Sequence, residues 1–211
     1  MKVLVTGGSR GIGKGICDFF TKKGHTVIAP PRTQLNLLKT SLLIDKDFDI
    51  VINNAGINPL NNLLHIDQND VLQVNYLAPL TIIQQCLPYM IKQKYGRIVN
   101  IGSIWIDIAK EKRGAYSASK SALHSLTKTI TAEYSSKNIL ANTISPGYIL
   151  TDLTKQNNTS QQIKKISKRI PVGRLGIPDE IAKTVYHLTI ENTYITGQNI
   201  IIDGGFSCTT T

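Results

Sequence analysis

Short, continuous apolar runs alternate with amphipathic stretches along nearly all of this 211-residue chain. The runs Lys2–Thr6, Thr26–Ala29, Ile50–Asn53, Arg97–Ile101, Ile139–Ile144 and Asn199–Ile202 are mostly β-branched and too short for buried helices, so each is predicted to be a strand covered on both faces. Apolar positions recur at helical spacing over Ile12–Lys23, Asn69–Lys92, Tyr116–Ser136 and Pro178–Leu188. Strands alternating with helices predict an α/β fold, one doubly wound parallel sheet with helices on both faces. The polar segment Asn157–Lys168, flanked by turn signals, suits either a mobile lid or a solvated surface helix.

With 41% apolar residues the chain can bury one substantial core, and residues 1–211 are expected to form one domain. No apolar run approaches the ~20 residues of a spanning helix, and the opening Met-Lys-Val-Leu-Val is too short for a signal sequence. Cys17, Cys86 and Cys208 are far apart and lack metal-ligand spacing, so we expect no metal site and a reduced, cytoplasmic protein. The net charge of +10 would attract an anionic partner, or it reflects a composition rich in Lys and Asn without one. No nucleic-acid signature accompanies it, so neither nucleic acid nor membrane is an expected partner.

Thr6-Gly7-Gly8-Ser9-Arg10-Gly11-Ile12-Gly13 falls between the first strand and the first helix. Glycines there permit a tight turn and bring backbone N–H groups up to a pyrophosphate at the positive end of the helix. Gly7, Ser9, Arg10, Gly11, Ile12 and Gly13 are therefore candidate contacts of a dinucleotide in a Rossmann-type sheet. After the second strand no carboxylate is placed to meet the ribose hydroxyls, whereas Arg10 and Arg32 can offer guanidinium forks to a 2′-phosphate. NADP(H) is the favoured cofactor, with NAD(H) as the alternative. Further on, Tyr116 and Lys120 share one helix face, a phenol beside a cation that would favour its ionised form; alone, such a pair is far more often an exposed tyrosine beside a solvated lysine.

Taken in order, Thr6–Gly13, Asn53-Asn54-Ala55-Gly56, Ile101-Gly102-Ser103, Tyr116–Lys120, Pro146-Gly147 and Asp203-Gly204-Gly205 resemble the short-chain dehydrogenase/reductase family. The resemblance implies a catalytic tetrad of Asn75, Ser103, Tyr116 and Lys120. Tyr116 would give a proton to the carbonyl oxygen, Ser103 would hold that oxygen, Lys120 would bind the nicotinamide ribose and lower the Tyr116 pKa, and Asn75 would anchor a water. It also implies cofactor contacts at Asn54, Ala55 and Gly56 near the adenine ribose and at Pro146, Gly147, Ile149 and Thr151 around the nicotinamide. Homodimers or homotetramers are expected from the helices around Asn69–Lys92 and Tyr116–Ser136.

Gly96–Ser103 and Ile170–Gly176 are similar to the 3-oxoacyl-acyl-carrier-protein reductases of that family. This similarity implies a carbonyl substrate on an acyl thioester and an acyl carrier protein docking through Lys94 and Lys137 at the rim of the site. The chain departs from the family between Ala29 and Ile50, where Arg32–Leu38 leaves room for a short strand and Leu42–Asp47 for one brief helix. One peripheral helix is missing, the adenine side is expected to be open, and Asn36 replaces the family's adenine-contacting aspartate. Two other readings stay open, a reductase in sugar or secondary-metabolite assembly and a catalytically idle dinucleotide-binding module. Trp105 is either a substrate wall or core packing.

Overall fold

All six apolar runs form strands, and they lie parallel in one sheet of order β2-β1-β3-β4-β5-β6. They are β1 (Lys2–Val5), β2 (Thr26–Ile28), β3 (Ile50–Asn53), β4 (Gly96–Ile101), β5 (Ile139–Pro146) and β6 (Asn199–Ile202). The computed structural model describes residues 1–39, 45–65 and 67–209. Chain order reverses between β1 and β3, and at such a switch point the loops diverge and leave a crevice for a ligand.

Alternation along the strands divides the core in two. Val3, Val5, Ile50, Ile52, Val99 and Ile101 face helices α1 (Gly11–Lys22) and α7 (Pro178–Tyr186), meeting Ile16, Phe20, Ile181 and Val185. Leu4, Val51 and Ile98 face the other way, onto Ile82, Ile83, Cys86 and Met90 of α3 (Ala78–Gln93) and Ile130 of α4 (Gly114–Tyr134). Burying a side chain such as Phe20 or Ile82 stabilises the fold by about 2 kcal/mol. Between the layers runs a polar seam in which Asn53 Nδ2 donates to Asn100 Oδ1 at 2.9 Å and Asn100 Nδ2 donates to Thr127 Oγ1 at 2.9 Å.

The long helix expected over Asn69–Lys92 is interrupted. A first turn, α2 (Asn69–Leu72), passes into a π-helical turn at Gln73–Leu77 before α3 begins. Such turns shift the side chains that follow and are concentrated at functional sites. The segment Asn157–Lys168 follows α5 (Asp152–Asn157) and forms α6 (Ser160–Arg169), opened by a capping box between Thr159 and Gln162.

The short strand expected within Arg32–Leu38 does not form. The Pro31 carbonyl accepts from the N–H groups of Gln34 and Leu35, and Asn36 Oδ1 accepts from the Leu38 N–H at 3.1 Å. A run turned twice cannot extend along β2; Leu35 instead drops into the core beside Phe48, leaving β2 as the sheet edge. Of the brief helix expected over Leu42–Asp47, Leu42–Ile44 lie outside the described residues, and Asp45–Asp47 are irregular, with Asp45 paired to Lys2. Among the described residues no helix is long and apolar enough to cross a membrane.

Candidate active site

Thr6 to Gly13 carry the chain from β1 into α1. Thr6 is buried, and its Oγ1 accepts from the backbone N–H groups of Asn54 at 3.0 Å and Ala55 at 3.1 Å. Asn54 Nδ2 donates in turn to the carbonyls of Thr6 at 2.9 Å and Gly7 at 3.1 Å. This reciprocal clamp locks the ends of β1 and β3 together at the switch point. Packing is so close that a Cβ on Gly13 would stand 2.2 Å from the Gly7 carbonyl oxygen. Arg10 precedes α1 without a side-chain capping bond, so the first N–H groups of the helix are left for an anion.

The other expected cofactor contacts fall around this turn. Ala55 packs on Gly7, Gly56 follows β3, and Thr151, which caps α5, lies against Gly11. Pro146 ends β5, Gly147 donates from its N–H to the Ile202 carbonyl at 2.9 Å, and Ile149 is buried and bridged to Gly176. Ser9, Arg10 and Arg32 are exposed and Ile12 half-buried. Asn36 lies in the turn beyond β2, with Oδ1 engaged by the Leu38 N–H.

The expected tetrad converges at the carboxyl ends of β3 and β4. Ser103 stands just beyond β4, Tyr116 in the first turn of α4, and Lys120 one turn later. The Tyr116 hydroxyl lies close enough to Ser103 for that side chain to favour its ionised form. Lys120 is 3% exposed, its Nζ donating to the Ile101 carbonyl at 2.6 Å and lying 5.8 Å from the centre of the Tyr116 ring. Asn75 sits in the π turn, fully buried, and its Oδ1 accepts from the Ile57 N–H at 2.9 Å. Its Nδ2 donates to the Ile57 carbonyl and to Ser119 Oγ, both at 3.0 Å, and Ser119 Oγ donates to the Tyr116 carbonyl at 2.7 Å. The Asn75 amide thus ties the loop after β3 to the turn of α4 that bears the phenol. Gly56 lies between them; a Cβ there would stand 3.2 Å from Asn75 Oδ1 and 3.4 Å from Lys120 Nζ.

The electrostatics differ from the expectation built on the Tyr116 and Lys120 pair. Burial pushes the phenol's pKa up, opposed by the nearby Ser103 side chain and then by the guanidinium of Arg113. The counteracting cation is therefore Arg113, which the sequence reading missed because nothing in its context separates it from a solvated arginine. Burial pulls the Lys120 pKa down from 10.5 to about 8. Above about pH 8 the native protein releases this proton while the unfolded chain still holds it. The native state then binds fewer protons, so stability rises with pH up to about 10.5. Wild type is expected to gain a few kcal/mol relative to Lys120→Met between pH 8 and 10, measured by urea denaturation; parallel pH profiles for the two proteins would refute this.

Trp105 belongs to a wall rather than to the core. It is half-buried and meets Tyr148 edge-on, with ring centres 6.2 Å apart, and Tyr148 meets Phe206 at 5.3 Å. Phe206 is presented by a turn organised on Asp203, whose carboxylate accepts from the Gly205 and Ser207 N–H groups and from Ser207 Oγ. Burial would raise the Asp203 pKa, but these bonds hold it below the ordinary carboxylate value. Lys94 and Lys137 are not at this rim. They precede β4 and β5, at the opposite end of the strands from Ser103, roughly 20 Å away at the usual rise of ~3.3 Å per residue. The two loops are joined there by Asn138 Nδ2 donating to the Lys94 carbonyl at 3.0 Å.

Residues 36–207 match a family model described as enoyl-(acyl carrier protein) reductase. The chain is 35% identical over 237 aligned residues to the 3-oxoacyl-[acyl-carrier-protein] reductase of Buchnera aphidicola subsp. Schizaphis graminum, covering 98% of this chain and 97% of that relative. It is also 35% identical to the reductase of the same description from Aquifex aeolicus, covering 96% and 95%. Among solved structures, 4-hydroxyisoleucine dehydrogenase complexed with NADH matches with a TM-score of 0.87 and 29% identity, over 99% of each chain. A protein described as a 2-deoxy-D-gluconate 3-dehydrogenase from Agrobacterium tumefaciens, with bound NADP, matches with a TM-score of 0.87 and 27% identity, over 99% of this chain and 96% of that one. An all-parallel doubly wound sheet, a glycine turn at its switch point and near-full-length relatives lead to one assignment: the chain belongs to the short-chain dehydrogenase/reductase family and is an NAD(P)(H)-dependent oxidoreductase.

Proposed function

We propose that this protein reduces the keto group of 3-oxoacyl thioesters with NADPH, as a single catalytic domain assembled into cytoplasmic homodimers or homotetramers. The observation that carries this reading is the placement of Tyr116 beside Ser103 at the carboxyl end of β4, with Lys120 one turn on and the glycine turn at the adjoining strand ends. The relatives named as 3-oxoacyl-[acyl-carrier-protein] reductases support the substrate class.

The residues fit a dinucleotide. The uncapped start of α1 and the glycines at 7, 11 and 13 suit a pyrophosphate, with Asn54, Ala55 and Gly56 toward the adenine ribose and Pro146, Gly147, Ile149 and Thr151 at the nicotinamide end. Arg10 and Arg32, both exposed and with no carboxylate beside them after β2, favour the 2′-phosphate of NADP(H). When bound, the reduced nicotinamide supplies the hydride. Ser103 donates a hydrogen bond to the substrate carbonyl oxygen and fixes it beside Tyr116. Tyr116 transfers its phenolic proton to that oxygen as negative charge develops there. The phenol is protonated at neutral pH with or without the rise, which by itself makes it a weaker acid, so the opposing effects of Ser103 and Arg113 favour the transfer. Arg113 sets its positive charge against the resulting phenolate, Lys120 would hold the nicotinamide ribose, and Asn75 holds Tyr116 in position through Ser119.

Comparing acetoacetyl thioesters with simple and sugar ketones, using NADPH and NADH in parallel, tests the reading. The thioester with NADPH is expected to have the highest kcat/KM, and a sugar ketone in that place would move the assignment to the sugar or secondary-metabolite reading. Carrier docking at Lys94 and Lys137 would serve the mouth of a neighbouring copy, because the lysines are remote from their own. Lys94→Glu with Lys137→Glu is expected to lower turnover of a carrier-bound substrate about tenfold and to leave a small thioester unchanged. Equal turnover of the carrier-bound substrate would remove that docking site.

A further inference from the structure

The aromatic wall is built from loops that follow β4, β5 and β6, three neighbouring strands, on the carboxyl side of the sheet where Ser103 and Tyr116 lie. Three cations are gathered on it. Lys110 Nζ donates to the Tyr148 hydroxyl at 2.9 Å and lies 5.4 Å from the centre of the Trp105 ring. The Arg169 guanidinium lies 5.4 Å from the centre of the Phe206 ring. Arg113 is half-buried, close enough to Tyr116 and Tyr148 for its charge to act on both, and its Nε is buried without a hydrogen-bond partner.

None of the three forms a salt bridge among the described residues. Two carboxylates nearby are committed elsewhere, Asp107 to Asn199 Nδ2 at 3.0 Å and Asp203 to the turn around Ser207. Cations collected over aromatic faces, beside a partly desolvated guanidinium with no internal counter-ion, are organised for an anion that arrives with a ligand. We propose that the mouth formed by Trp105, Tyr148 and Phe206 with Lys110, Arg113 and Arg169 binds an oxyanion of the substrate, a carboxylate or phosphate beyond the reacting carbonyl, and so selects anionic carbonyl compounds. This inference rests on the reading of Ser103 and Tyr116 as the carbonyl site.

Trp105 is the only tryptophan in the chain, so its emission reports on the mouth without requiring turnover. The NADP⁺-saturated protein is titrated with succinate, propyl phosphate and their neutral methyl esters. One or both anions are expected to change the emission saturably and at least about tenfold more tightly than the esters, the stronger anion identifying the group. Lys110→Gln, Arg113→Gln and Arg169→Gln should each weaken the anion several-fold while the esters are unaffected, and Arg113→Lys should recover part of the loss. In parallel, kcat/KM is compared for acetoacetate and methyl acetoacetate, where the wild-type preference for the anion should collapse in the triple Gln variant. Esters as tight as the anions, no saturable response, or equal losses on charged and neutral ligands would overturn the proposal. If anions bind but no ketone is reduced, the anion site stands and the reductase reading falls; if ketones are reduced without regard to charge, the reverse holds.

Discussion

Replacing Tyr116 with Phe is expected to lower the kcat for ketone reduction about 10³-fold while leaving NADP(H) affinity within about twofold. The variant keeps the ring, its packing beside Lys120 and the helix that carries it, and loses only the hydroxyl beside Ser103. Without that hydroxyl only the far weaker acid Ser103 stands at the carbonyl oxygen, since the Lys120 ammonium is directed onto the Ile101 carbonyl. The charge that develops on the substrate must then be neutralised by water. Steady-state kinetics and a fluorescence titration of NADPH separate the two effects. Near-normal turnover by the variant would remove Tyr116 from the mechanism, and a matching loss of cofactor binding would make its role structural.

Gly13→Ala is expected to lose most cofactor binding, at least about 100-fold in Kd, and to destabilise the fold by roughly 3 kcal/mol. The added methyl would stand 2.2 Å from the Gly7 carbonyl oxygen and 2.4 Å from Asn54 Nδ2. Neither neighbour is a flexible side-chain end. The Gly7 oxygen is backbone, and the Asn54 amide is held by the carbonyls of Thr6 and Gly7. Relief therefore requires opening the clamp between β1 and β3, which displaces the N–H groups meant for the pyrophosphate. Gly24→Ala is the matched comparison. Gly24 sits at φ +81° with no atom within 4 Å of the added Cβ, so its cost is backbone strain of about 1 kcal/mol, with cofactor binding intact. Thermal unfolding and NADPH titration of both variants check this contrast; equal effects would mean that close approach at Gly13 carries no special weight.

Both predictions rest on residues legible before folding was considered, whereas the selectivity inferred for the mouth does not. Tyr116, Lys120 and the glycine turn are dictated by local chemistry, namely a fixed helical spacing and a strand-to-helix corner that only small residues can make. Such features survive in a one-dimensional pattern because their partners are near in sequence or are the backbone itself. The same holds for the six strands and the two-faced cover of helices, since β-branched runs too short for helices have few other ways to be buried.

The segment after β2 shows where such reading stops. Arg32–Leu38 carries the apolar content of a strand, but a strand needs an edge to pair with and an extended backbone. The turns on Pro31 and Asn36 take that backbone away and send Leu35 into the core. The π turn that seats Asn75 is likewise invisible to periodicity, because one extra residue in a helix hardly disturbs an apolar stripe.

By itself, the sequence determined the sheet and the cofactor turn, since each follows from short-range spacing, whereas the four candidate catalytic residues came from the ordered set of motifs that resembles the family. Only the tertiary structure decided which charges act on which groups. It placed Arg113 rather than Lys120 against the rise in the Tyr116 pKa, carried Lys94 and Lys137 to the far end of the strands, and joined Trp105, Tyr148 and Phe206 from three loops into one wall. Electrostatic and packing contacts depend on distance in space, and crossover connections bring together residues that are a hundred positions apart in the chain.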